Sequence, residues 1–384
     1  MPENEFLLGL TRDQVAAVGL NIVHENDRAR ITSTGGDLFE IQNEIGSDQQ
    51  REIGKYLVRH CYTGFSAQSQ ITRLRLRDSD RTIGYVFPVT AFRGGEALEG
   101  IWPKRYADVA FRVATKLESL STFAVGASLD GCRGRSLFLD ELIPDEVSIL
   151  AIGREALETA DIGWAVLELM LLKERIAILP DPLDVPRSIK ADAWRDSITV
   201  KKPAYPAEGE AAIFTALIRS ADRDAFGVAA FMHLYQALEF CIDHIFNWEI
   251  GDLVQAKLDT WKMKDRLAEI TGERRRLAIL DARCLARLQD RASLNELRNC
   301  CLAFLQSVNV DHDADGSWFS LLYQARNIIV HNQIQMLKRA GVPLREMNKL
   351  LRAASLDILF AFENPALQAR AKFEEEAWRQ TSWH

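Results

Sequence analysis

The 384-residue chain contains no Cys-x-x-Cys pair. Its six cysteines, at 61, 132, 241, 284, 300 and 301, suit neither a zinc ligand set nor a disulfide framework. They read as small buried hydrophobes in a reducing compartment, with adjacent Cys300 and Cys301 split between helix surface and core. There is no apolar run of membrane-spanning length. The best, Ile162 to Leu172, is short and contains Glu168. The opening Met-Pro-Glu-Asn-Glu lacks the basic-then-apolar pattern of a secretory signal. These absences lead us to expect a cytoplasmic protein without a membrane. Gly-x-x-x-x-Gly-Lys-Ser/Thr, Gly-x-Ser-x-Gly and His-Glu-x-x-His are missing too. No cofactor and no metal site is expected.

Glycine is scarce in the second half: 16 of 22 lie before residue 200 and six after it. Proline clusters at the joint, where Pro180, Pro182, Pro186, Pro203 and Pro206 are five of the 11 in the chain. A segment so rich in proline is not regular helix and reads as a linker or extended arm. The expected organisation is an α+β N-terminal domain over 1–179, a proline-rich linker or arm over 180–207, and an all-α domain over 208–384.

In the front half, Thr11 to Leu20, Ser47 to His60, Tyr106 to Leu120 and Ala160 to Ile178 read as helices. Gln70 to Arg77 alternates, Asp78-Ser-Asp-Arg turns, and Thr82 to Phe92 is apolar and extended, which is a hairpin signal. Ser136 to Leu142 and Val147 to Ile152 read as strands. The Gly-Gly patches beginning at Thr34 and Arg93 read as turns. The second half reads as successive helices over 210–220, 225–246, 252–270, 273–288, 293–308, 317–339 and 343–362, with a polar tail from Asn364. The stretch 225–246 is apolar on almost every side, so it should be the buried central helix.

The net charge is −7, which gives no whole-molecule attraction to nucleic acid. Between Lys257 and Arg352, however, 17 Lys/Arg stand against 11 Asp/Glu, and 17 − 11 gives +6. Arg274, Arg275 and Arg276 begin a helix there. At most two of them share a face, suited to RNA phosphates or to solvent. Asp311-His-Asp-Ala-Asp-Gly316 opens like a calcium loop, but its twelfth position is Leu322, so calcium is rejected. Weak magnesium binding by these aspartates stays open. The run serves better as a loop ending in a cap, Asp315 or Ser317, for the helix that follows.

That helix carries Arg326-Asn327-Ile-Ile-Val-His331. At about 100° per residue, Leu321, Leu322, Ala325, Ile328 and Ile329 form a core face. Asn327 and His331, four apart, share the opposite side. Arg326 lies in line with Val330, Ile334 and Leu337, an apolar seam suited to a partner. Glu239 interrupts the central apolar helix and needs a partner there, Arg326 or another basic residue. His233 and His244 read as core or boundary histidines.

The Arg-x4-His run in a helical context resembles the HEPN family. The resemblance covers roughly the last 175 residues, the size of one domain. It implies an all-α HEPN-like helical bundle that dimerises so that two motifs face one cleft. It also implies a metal-independent endoribonuclease, often a toxin or antiviral effector. On that resemblance His331 moves protons, Arg326 stabilises the phosphate, and Asn327 orients His331 or meets substrate. Lys338 joins the three arginines as an RNA contact. Val330, Ile334 and Leu337 become the dimer seam. The products implied are a 2′,3′-cyclic phosphate or phosphate and a 5′-OH. A non-catalytic RNA-binding or dimerisation module regulated by a protein partner is the alternative. Members silenced by a nucleotidyltransferase carry Tyr two places after the histidine, and here that place is Gln333. No family is recognised for the front half, which reads as sensor or regulator.

Overall fold

The computed structural model describes residues 19–25, 27–33, 36–44, 53–63, 70–93, 101–116, 119–120, 134–179, 195–203, 208–223, 227–256, 259–284, 291–309, 312, 314–331 and 341–362. Most of the expected helix from Thr11 to Leu20, most of the expected linker, the Arg93 glycine patch beyond Arg93 itself, Ile334, Leu337, Lys338 and the tail from Asn364 lie outside them. Two compact units divide the chain, Met1–Lys202 and Pro203–His384. The first is α+β and the second helical.

Among the described residues the front unit holds two sheets. The first orders β1 (Asn21–Glu25), β2 (Arg28–Ser33), β3 (Gly36–Gln42) and β7 (Arg135–Phe138). The second orders β10 (Ser197–Val200), β5 (Thr72–Leu76), β6 (Thr82–Pro88), β8 (Val147–Gly153), β4 (Tyr56–Thr63) and β9 (Ile176–Ile178). The expected hairpin is β5–β6, antiparallel, with Asp80 turning through φ 54°. Ser197–Val200, within the expected linker, adds to β5 in parallel as an edge strand.

Strand β8 sits mid-sheet, and all seven of its residues are buried. Val147, Ile149 and Ala151 join Val58, Tyr85 and Phe87 in a core that also takes Ile31, Phe39 and Ile41 of the first sheet. Ala107, Ala110 and Phe111 enter it from α1 (Ile101–Ala114), which packs on β8. Asp108 and Arg112 of this helix are buried and pair at 2.9 Å one turn apart, so neither charge is left alone in the core. Strand β6 must run very close to β8. A Cβ at Gly84 would stand 2.4 Å from the Ala151 carbonyl oxygen, so glycine is required there.

Two expected helices are corrected. Tyr56–Thr63 is strand β4, and its first five residues fall within the expected helix from Ser47 to His60. Its burial does not alternate cleanly because both faces are covered, which removes the usual strand signature. The expected helix from Ala160 to Ile178 is shortened at both ends, to Trp164–Lys173, and Ile176–Ile178 is strand β9. Here α2 (Arg154–Thr159) and α3 (Trp164–Lys173) flank Asp161 at φ 49°, and Arg175 at φ 64° ends α3 before β9. Positive φ does not continue a right-handed helix. Strands β1 to β3 had no counterpart in the sequence reading, although β2 alternates between buried Ala29 and Ile31 and more open neighbours.

The helical unit runs α4 (Glu208–Arg223), α5 (Val228–Gln255), α6 (Thr260–Thr271), α7 (Glu273–Ile279), a π turn (Leu280–Cys284), α8 (Ala292–Ser307), α9 (Trp318–His331) and α10 (Gly341–Ala361). Helix α5 is the expected central helix. It packs against α4, α6, α7 and α10, and buries Phe231, Leu234, Tyr235, Leu238, Cys241, Ile242 and Ile245. It continues through residue 255, past residue 252, where a separate helix was expected to begin. Arg352 of α10 holds Asp222 of α4 through two bonds of 2.7 and 3.0 Å. Cys301 is buried and Cys300 half-buried, as the helical spacing implied. No described helix is long and apolar enough to cross a membrane.

Candidate functional site

Helix α9 is fixed first at its start. The Ser317 hydroxyl accepts from the Ser320 N–H at 3.4 Å, so Ser317 is the cap. Arg298 of α8 donates to the carbonyls of Ala314 and Gly316 at 2.7 and 2.8 Å. The Trp318 indole donates to Asp281 at 2.9 Å. The loop that resembled a calcium site is thus tied down by an arginine. Its Asp311 and Asp313 lie outside the described residues, and Asp315 is exposed.

Leu321, Leu322, Ala325 and Ile329 of α9 are fully buried. Each leucine side chain so buried stabilises the unit by about 1.5–3 kcal/mol. Ile328, read as a core residue, is only half-buried, at the margin of the buried stripe. Asn327 and Val330 are half-buried, and His331 is exposed at the last position of the helix.

Arg326 does not stand free at the surface. One guanidinium nitrogen lies 3.7 Å from Glu239 of α5. Another donates to the Asn327 side-chain oxygen at 3.2 Å. The guanidinium carbon sits 5.7 Å from the centre of the Tyr235 ring, within cation–π range. Its Nε is buried without a hydrogen-bond partner. Tyr235 and Glu239 are one turn apart on α5, so one face of that helix presents both an aromatic surface and a carboxylate to the arginine. Glu239, half-buried in an otherwise apolar stretch, therefore meets the arginine that the sequence named as its partner. Tyr235 was not read as a site residue; its i,i+4 spacing from Glu239 was the available signal.

Arg326 and His331 are five residues apart on one helix. Helical geometry sets them about 140° apart around the axis and about 7.5 Å apart along it. Asn327 and His331 share a face. One copy of the helix therefore offers an arginine held toward α5 and a histidine turned elsewhere into solvent.

The arginine triplet divides. Arg274 and Arg275 are exposed. Arg276 is used within the fold: it pairs with Asp243 at 3.3 Å and lies 5.0 Å from the Phe246 ring centre, joining α7 to α5. Helix α7 also packs on α9, so the two exposed arginines belong to a helix adjoining the motif. His244 meets Glu210 at 3.1 Å, as a boundary histidine does. His233 departs from a satisfied histidine, because its Nδ1 is buried without a hydrogen-bond partner. Among the described residues no group of three or more His, Cys, Asp and Glu forms a ligand set for a metal.

Compared with protein-family models, curated proteins and solved structures, the chain matches none.

Proposed function

We propose that the helical unit is a HEPN-like endoribonuclease that works without a metal, acting as a dimer. The observation that carries the reading is the pairing of a held arginine with an exposed histidine on α9. Arg326 is braced by Glu239 and Tyr235, and His331 is open to solvent one turn beyond Asn327. In the proposed reaction the RNA 2′-oxygen attacks phosphorus and the bond to the 5′-oxygen breaks. The 2′ proton leaves to a base, and a proton is delivered to the departing 5′-oxygen. Histidine suits both transfers near neutral pH. A second copy brings a second His331, so that one takes a proton and the other gives one. Arg326, a planar five-donor cation, stabilises charge on the phosphate oxygens. Arg274 and Arg275 lead RNA toward the cleft. The front unit senses or regulates, and the role is a toxin or a defence effector in the cytoplasm.

The engagement of Arg326 inside one copy favours one competing reading, in which the cluster joins α9 to α5 and binds RNA or a second copy without cleaving. Incubation of the full chain with RNA in excess EDTA, followed by end-group analysis, separates the two. The nuclease reading expects 2′,3′-cyclic phosphate and 5′-OH ends. An intact substrate, or 5′-phosphate ends formed only with magnesium, contradicts it.

A further inference from the structure

The front unit contains a cavity of about 860 Å³, within the range of about 300–1,000 Å³ typical of small-molecule sites. It lies where β8 ends. Tyr56 opens β4 opposite Gly153, and Gly84 of β6 pairs with Ile152, so three central strands deliver their ends to one place. Tyr56, Tyr85 and Tyr106 line it as an aromatic wall. The Tyr56 and Tyr106 rings meet edge to face at 4.9 Å, and Tyr85 lies 5.1 Å from Tyr106. Tyr85 and Tyr106 are buried and Tyr56 half-buried, so Tyr56 is the ring most open to a ligand. A Cβ at Gly153 would stand 2.7 Å from the Tyr106 hydroxyl oxygen, so the glycine is what lets that hydroxyl approach the strand end.

The charge at this cavity runs against that of the whole protein. Lys55, Arg81, Arg105 and Arg154 line it together with Glu155 and Glu158, and 4 − 2 gives +2 in a chain of net −7. Arg81 and Arg154 are exposed, and among the described residues neither forms an ion pair. A cationic excess recognises an anion, and arginine forks suit phosphate oxygens. Aromatic faces recognise a flat ring. Burial first, and then the neighbouring phenols, push the Tyr106 hydroxyl up to about 12. It therefore stays protonated at neutral pH.

We infer that this cavity is a nucleotide site, with a base stacked on the tyrosine wall at Tyr56 and phosphates held by Arg81 and Arg154. The same chemistry is carried by a free nucleoside triphosphate and by the 5′-phosphorylated end of a strand. The site lies wholly in the front unit and is independent of the ribonuclease reading.

Calorimetric titration of the full chain tests it. The probes are ATP, GTP, adenosine, inorganic triphosphate and a 5′-phosphorylated oligodeoxynucleotide, which lacks the 2′-OH. At least one phosphorylated nucleotide should bind one per chain, with adenosine and triphosphate each about tenfold weaker or more. Preference for ATP or GTP assigns the free nucleotide, and preference for the oligonucleotide assigns the strand end. Arg81→Ala/Arg154→Ala alters exposed residues only and should weaken binding about tenfold or more with an unchanged melting temperature. Tyr56→Phe keeps the ring and should bind within about twofold of wild type, while Tyr56→Ala should lose about tenfold. Absence of binding by every phosphorylated probe overturns the inference. So does binding that the double arginine variant leaves unchanged.

Discussion

Arg326 of α9 and Glu239 of α5 face each other at 3.7 Å, with the Tyr235 ring beneath the guanidinium. The pair is part-exposed, so its Coulomb energy is modest; pairs of this kind contribute about 0.2–1 kcal/mol. Its value lies in direction. The carboxylate and the ring take up much of the freedom of a long side chain and fix where its guanidinium lies.

Glu239→Gln keeps the shape and removes the charge. Stability should fall by about 1 kcal/mol or less. RNA cleavage should fall about tenfold, because a displaced guanidinium is no longer aligned with the phosphate. Parallel urea melts and cleavage rates check this. Unchanged cleavage would limit Glu239 to a structural role.

His60, buried on β4, has its pKa pushed down to about 4 by burial. In the unfolded chain its ordinary value is 6.5. Between these values the unfolded state binds more protons, so this contribution is complete above pH 6.5 and is lost as pH falls toward 4. The slope reaches about 1.4 kcal/mol per pH unit. Denaturant unfolding of the front unit at pH 7.5 and 5.0 should show wild type losing about 2 kcal/mol more than His60→Leu over that interval. Equal losses would mean that the imidazole stays solvated.

Gly84 lies against the Ala151 carbonyl, at a distance no Cβ tolerates. Gly84→Ala should part β6 from β8 and destabilise the front unit by about 1–3 kcal/mol. Thermal unfolding followed by circular dichroism reads this as a lower transition temperature. An unchanged transition would contradict the close approach.

Much of the fold was legible because its signals are local. The β5–β6 hairpin alternates and turns through Asp78-Ser-Asp-Arg, and α5 is too long and apolar to be anything but central. Strand β4 was misread because both of its faces are covered, which erases alternation. The late start and early end of α3 rest on positive φ at Asp161 and Arg175, for which the apolar run from Ile162 to Leu172 leaves no sign. At the site, helical periodicity separated the core face of α9 from the motif, and a lone charge in an apolar helix pointed Glu239 toward an arginine. Helical spacing sets Arg326 off the core face of α9, whereas its Nε is buried. Periodicity tells which face is apolar but not which neighbouring helix covers the rest. Tyr235 looked like core for the same reason, since a ring that is fully buried can still present a face to a cation.

Chemistry at the α9 motif is read from the rate of RNA cleavage in excess EDTA by wild type and by His331→Ala. His331 is exposed at the end of its helix, so the variant should fold as wild type does, with matching circular dichroism and melting temperature. A general acid–base group contributes about 10²–10⁴ in rate. A loss of that size is expected in the folded variant. A His331→Ala protein that cleaves at the wild-type rate would contradict it.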